Sequence, residues 1–302
     1  MKTLQEVIEN AARQLHEADV FCGHGTDNVR DEAAWLACHA LGLSPVDPVP
    51  NDPLTPEQEQ CVDDWVKKRI TTRRPTAYLT GTAWFAGMAF QVSEDVLVPR
   101  SPLAEMISEA FSPWLEPATI HHALDLCTGS GCIGIATAAA LPHAQVDLAD
   151  ISPAALAIAK RNIQQHQLSE RVQTHESDFF EGLPAKRYDL ILTNPPYVPQ
   201  QEADILPDEY MAEPGLGLAS GDDGLDAACI ILNRAADFLT ADGHLVLEVG
   251  GSWERLQAAL PEIPFMWLDF YHGGDGVLII RRDELIAARG VLQAWQKERN
   301  GE

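Results

Sequence analysis

Apolar positions in the first quarter of the chain recur every three or four residues. Leu4, Val7, Ile8, Ala11, Ala12 and Leu15 share one face and predict a helix. A second apolar run, from Ala33 to Leu41, is stopped by Gly42. The third helix has the clearest start. Thr55 caps it, Pro56 takes the first helical position, and Gln58 completes a capping box ahead of Cys61, Val62, Trp65, Val66 and Ile70. Between about 76 and 100, Tyr78-Leu79-Thr80-Gly81 and Phe90-Gln91-Val92 flank a Gly-rich, aromatic stretch suited to a short hairpin.

Beyond Pro102 the pattern changes to alternating strands and helices. Candidate strands lie at 122–126, 145–149, 171–176, 187–192, 244–249, 265–269 and 276–281, with helices after Gly131, after Ser152-Pro153 and near 223–239. That alternation predicts an α/β class with a mostly parallel sheet. The last twenty residues, from Asp283, read as helical and exposed. The chain thus divides into a helical unit, 1–75, a hairpin connector, 76–100, and an α/β domain, 101–302.

Composition narrows the partners. With 302 residues, 46% of them apolar, the chain can bury a full core. Its 45 acidic against 21 basic residues give a net charge of −24, which repels a phosphate backbone and attracts a basic protein. Direct nucleic-acid binding is therefore disfavoured. Residues 1–20 hold Glu6, Glu9, Glu17 and Asp19 and no unbroken apolar run, so neither a signal peptide nor a membrane span is expected and the protein is read as cytoplasmic. The six cysteines, at 22, 38, 61, 127, 132 and 229, form no C-x-x-C pair and have no nearby His at metal-ligand spacing. They are read as reduced, mostly apolar packers, and no metal is expected.

Two stretches carry candidate chemistry. Asn194-Pro195-Pro196-Tyr197 closes the apolar run 188–193 with two residues that supply no backbone N–H and hold the chain extended. An Asn amide followed by an open carbonyl can accept both hydrogens of a planar NH2 group, over which the Tyr197 ring can stack. As a structural alternative, Asn-Pro opens many turns. The second stretch runs from Asp125 through Leu126, Cys127, Thr128, Gly129, Ser130 and Gly131 to Gly134, at a strand-to-helix turn where backbone N–H groups can meet a ligand. Its glycines also spell the dinucleotide fingerprint, with Asp150 following at the end of the next strand. The sign of charge separates the two ligands. Asp125, at the tip of the first strand, would repel a pyrophosphate but suits the cationic S-adenosylmethionine, with Asp150 accepting from its ribose. Asp178 and Phe179, after the third strand, then stand where an adenine amine and ring face would lie.

With these residues the chain resembles the class I S-adenosylmethionine-dependent methyltransferases, and within them the HemK family of protein-glutamine methyltransferases. The resemblance spans nearly the whole chain: Ala77 to Gly81, Val98-Pro99-Arg100, the Asp-Leu-x-Thr-Gly-Ser-Gly loop, Asn-Pro-Pro-Tyr, Glu213-Pro214, Gly221 to Asp226, and Leu247-Glu248-Val249-Gly250. It implies a Rossmann-like, seven-stranded sheet with an antiparallel last strand, preceded by a small helical substrate-recognition domain. Cys127, Cys132 and Val-Pro-Arg-Ser-Pro at 98–102 are similar to the branch that methylates the third large-subunit ribosomal protein; the other branch acts on release factors. The implied roles are cofactor binding by Asp125, Cys127 to Gly131, Asp150, Asp178, Phe179 and Asn194, and substrate binding by Asn194, Pro195, Pro196 and Tyr197. Among these, Asn194, Pro195 and Tyr197 would serve catalysis. Glu213 and Asp222 to Asp226 are weaker candidates for positioning substrate.

Rival readings are an exocyclic-amine nucleic-acid methyltransferase, which shares the Asn-Pro-Pro-Tyr chemistry, and an NAD-dependent dehydrogenase, which leaves that motif idle. A non-catalytic ribosome-assembly factor is a third.

Overall fold

The computed structural model describes residues 2–44 and 53–301. Three helices open it, Leu4–Glu17, Val29–Ala40 and Pro56–Thr72. The first and third begin with a threonine capping box, at Thr3 and at the predicted Thr55. The second starts before its apolar run because Asn28 caps it by accepting from the Asp31 N–H. Their apolar faces meet in a cluster of their own, centred on Leu4, Leu15, Leu36, Val62 and Val66.

The connector differs from its expectation at one end. Thr76–Thr80 is a single helical turn ended by left-handed Gly81, so the segment around Tyr78 is helical. The hairpin itself is β1 (Thr82–Phe85) and β2 (Met88–Gln91), paired antiparallel.

The main sheet holds β3 (His122–Leu126), β4 (Gln145–Asp150), β5 (Val172–Glu176), β6 (Tyr188–Thr193), β7 (Leu239–Glu248), β8 (Met266–Leu268) and β9 (Val277–Arg281). Its order is β5-β4-β3-β6-β7-β9-β8, with only β9 running against its neighbours. All seven strands lie at the predicted places, although β7 reaches back to Leu239. Alternate side chains face opposite layers: Ala123, Val146, Leu148 and Val246 pack under the helices Cys132–Ala140 and Pro153–Gln165. Leu124, Leu126, Leu245 and Leu247 face the helix Asp226–Phe238 and the C-terminal helices on the other side.

The C-terminal tail is not an exposed appendage. Leu285, Leu292 and Trp295 are buried in that second layer, and Arg299 makes a two-point ion pair with Asp223 and also reaches Asp226. Of the cysteines, all free thiols, Cys132 and Cys229 are buried and the rest half-buried. Among the described residues, no helix is long and apolar enough to cross a membrane.

Candidate active site

The chain leaves β3 for β4 and β5, then returns to lay β6 on the other side of β3. Such a reversal opens a crevice beyond the carboxyl ends of the central strands. Here it is a cavity of about 370 Å³, walled by the residues that follow each strand. Cys127, Thr128, Gly129 and Ser130 come from β3, Asp150 and Ile151 from β4, Asp178 and Phe179 from β5, and Asn194 to Val198 from β6.

The glycine loop is shaped by backbone need. Gly129 and Gly131 have φ of +53° and +83°, and Cys127 adopts the same left-handed region at +61°. Gly134 serves packing instead, since a Cβ there would lie 2.1 Å from Leu148 and 2.8 Å from Asp125. The loop is braced from behind. Buried Asn162 donates to the Ser130 carbonyl at 2.8 Å and to the Gln91 carbonyl at 3.0 Å, linking the loop to the hairpin.

Asp125 departs from its sequence-based role. It is fully buried and absent from the cavity wall. Its Oδ2 accepts from the Thr128 hydroxyl at 2.5 Å and the Gly134 N–H at 2.8 Å. Burial pushes its carboxyl up to about 7 against the pull of those two bonds. The strand-tip carboxylate therefore holds the loop and first helical turn in shape. The carboxylates that do face the cavity are Asp95, from the connector, and Asp150 and Asp178. Asp150 is fixed by the Gly129 N–H at 2.8 Å and the Ser152 N–H at 2.9 Å, and burial raises its pKa. Two N–H contacts leave a carboxylate with further lone pairs to offer.

At the other end of the cavity stands Asn194, half-buried, with no hydrogen bond to its side-chain amide among the described residues. Tyr197 is held tightly. A Cβ on Gly250 would meet its ring at 2.5 Å, and one on Gly224 would meet its carbonyl oxygen at 2.2 Å. Ser252 donates to that carbonyl at 2.8 Å, and the Tyr197 hydroxyl donates to Glu248 at 3.3 Å. Glu248 is buried, takes the Ser101 hydroxyl at 2.5 Å, and is pushed by burial up to about 7. The segments 221–226 and 247–250 thus build the seat of Tyr197.

Glu213 also differs from a solvated loop carboxylate. It is buried, and Arg100 grips both its oxygens, at 2.5 and 2.7 Å, while the Val98 N–H adds a third bond at 3.0 Å. Burial alone would raise its pKa, but the hydrogen bonds and charge of Arg100 bring it down to about 2, with the His24 ring 3.7 Å away. Asp223 and Asp226 are likewise tied down, by Arg299, which leaves Asp222 as the exposed acid of that loop. Glu209, not singled out in the sequence, is buried against Arg69 and Arg73. No periodicity marks such residues, because their partners lie more than seventy positions away.

A mostly parallel sheet of reversed strand order, with a cavity that joins a glycine loop to an Asn-Pro-Pro-Tyr turn, defines a methyltransferase of class I. Accordingly, residues 106–213 match the methyltransferase small domain and residues 6–81 the PrmC N-terminal domain. The chain is 44% identical over 288 residues to the ribosomal protein uL3 glutamine methyltransferase of Bordetella pertussis, covering 94% of this chain and 97% of that one. To the proteins of that name from Francisella tularensis and Xylella fastidiosa strain 9a5c it is 43% and 44% identical, over 98% and 99% of this chain and 95% and 96% of theirs. The chain belongs to this family of HemK-type protein-glutamine methyltransferases.

Proposed function

We propose that this protein transfers a methyl group from S-adenosylmethionine to the side-chain amide nitrogen of a glutamine in ribosomal protein uL3, a basic partner. The observation that carries the reading is the free Asn194 amide on the wall of the cavity that the glycine loop opens onto. The relatives' shared name supports uL3 over a release factor.

The cavity suits the donor. Its volume falls in the range of cofactor sites, the start of the helix Cys132–Ala140 lies on its wall, and Ile133, Ile151, Ala155 and Phe179 offer apolar walls to a purine. Cys127 to Gly131 would hold the methionine part, Asp150 the ribose, and Asp178 with Phe179 the adenine. When bound, S-adenosylmethionine would supply a methyl on a sulfonium; the C–S bond breaks as the N–C bond forms, neutral S-adenosylhomocysteine is left, and the amide nitrogen gives up one proton to water.

The chain's own residues address the weakness of the nucleophile. An amide nitrogen shares its lone pair with its carbonyl, so it must be held in place. Asn194 and the Pro195 carbonyl accept its two hydrogens, Pro196 keeps that backbone extended, and Tyr197 covers its plane. Orientation of this kind contributes up to about 7–11 kcal/mol. The same acceptors stabilise positive charge growing on nitrogen.

The test is to incubate the protein with methyl-labelled S-adenosylmethionine and purified ribosomal proteins and release factors. Label in uL3, mapped to a glutamine, is the expected outcome; label only in release factors moves the substrate, and none in either overturns the reading.

A further inference from the structure

One wall of the cavity is the segment 199–218, whose only regular elements are helical turns of three to five residues. Leu206, Tyr210, Pro214, Leu216 and Leu218 line the cavity. Between them the same segment turns Ile205 and Met211 outward, 81% and 62% exposed, and Leu216 at the cavity mouth is 64% exposed. Large apolar side chains at such exposure mark contact surfaces when they cluster by a site.

The segment is not a loose loop. Glu209 is buried in ion pairs with Arg69 and Arg73 and also accepts the Phe21 N–H at 3.2 Å. Glu213 is held by Arg100. Two inward carboxylates thus pin the wall to the N-terminal helices and to the connector, so its outward side chains are presented by a fixed backbone. Charge identifies the partner. From 188 to 233 the chain contains nine carboxylates and no Lys, Arg or His. Six of the nine have cationic or backbone N–H partners. Asp204, Asp208 and Asp222 are exposed and have no cationic partner among the described residues.

We infer, given the substrate proposed above, that the outward face of 204–216 is a docking strip for a basic protein segment flanking the target glutamine. Ile205 and Met211 take its apolar side chains, and Asp204 and Asp208 its lysines or arginines.

Two variants test the strip with purified uL3, whose methylation by the wild type is the reference: Ile205→Ser with Met211→Ser, and Asp208→Lys. None of the three positions lines the cavity. Each variant is expected to raise KM for uL3 about tenfold, as for an interface residue that costs a little over about 1 kcal/mol when truncated, with kcat and S-adenosylmethionine affinity unchanged. The wild-type KM is expected to rise with salt. An unchanged KM, or a fall in kcat alone, overturns the docking strip while leaving the substrate reading intact. A change in sedimentation instead of KM assigns the face to a second copy of this chain and overturns it too. If wild type leaves uL3 unlabelled, the substrate reading fails first.

Discussion

Arg100 and Glu213 lie 113 residues apart and meet in a two-point ion pair, with N–O distances of 2.5 and 2.7 Å. The pair fastens the connector to the cavity wall beside Tyr210, over whose ring the guanidinium also sits at 5.4 Å. Glu213→Ala leaves a mostly buried guanidinium unpaired and is expected to cost about 2–4 kcal/mol in urea unfolding, less than a fully buried pair because Arg100 keeps some water. Since its folded pKa is depressed to about 2 from 4.5, the stability from Glu213 is present above pH 4.5 and lost as pH falls toward 2. The variant's acid unfolding curve is expected to be flatter in that window.

On the proposed function, Asn194→Ala removes the acceptor for the glutamine amide without touching the glycine loop. Methyl transfer in a labelled-methyl assay is expected to fall about 10²–10³-fold. S-adenosylmethionine affinity, measured by calorimetry, is expected to stay within a few-fold.

Gly250→Ala puts a methyl group 2.5 Å from the Tyr197 ring at a backbone φ of +44°. The ring must move, and a displacement near 1 Å is expected to lower kcat/KM by about 10²-fold. Tyr197→Phe keeps the ring and loses only the Glu248 contact, so it is expected to retain most activity.

Glu248 has the opposite pH dependence to Glu213. Burial raises its pKa to about 7 from 4.5, so its folded environment is best tolerated below pH 4.5 and stability is lost as pH rises through 7. Glu248→Gln keeps the shape without the charge. It is expected to remove that loss, seen as a higher melting temperature relative to wild type at pH 8 than at pH 5.

Arg299→Ala frees Asp223 and Asp226, both partly exposed, so the loss is expected to be only about 1 kcal/mol. Chemical denaturation measures it. Trp295→Ala, which opens the second layer, is expected to cost more, about 3 kcal/mol.

The strands, the capped third helix, the glycine turn and the Asn-Pro-Pro-Tyr turn were legible in the sequence because each is a local matter. Periodicity, caps, glycines and prolines act within a few residues of where they stand. The order of the elements then placed Cys127 to Ser130, Asp150, Asp178, Phe179 and Asn194 to Tyr197 around one crevice. Charge was not local in this sense. Asp125, Glu213 and Asp223 read as ligand or substrate groups, yet tertiary structure turned Asp125 inward onto Gly134 and paired the others with Arg100 and Arg299. A carboxylate's role depends on which N–H or cation the fold brings within about 3 Å, and the chain's order along the sequence does not carry that distance.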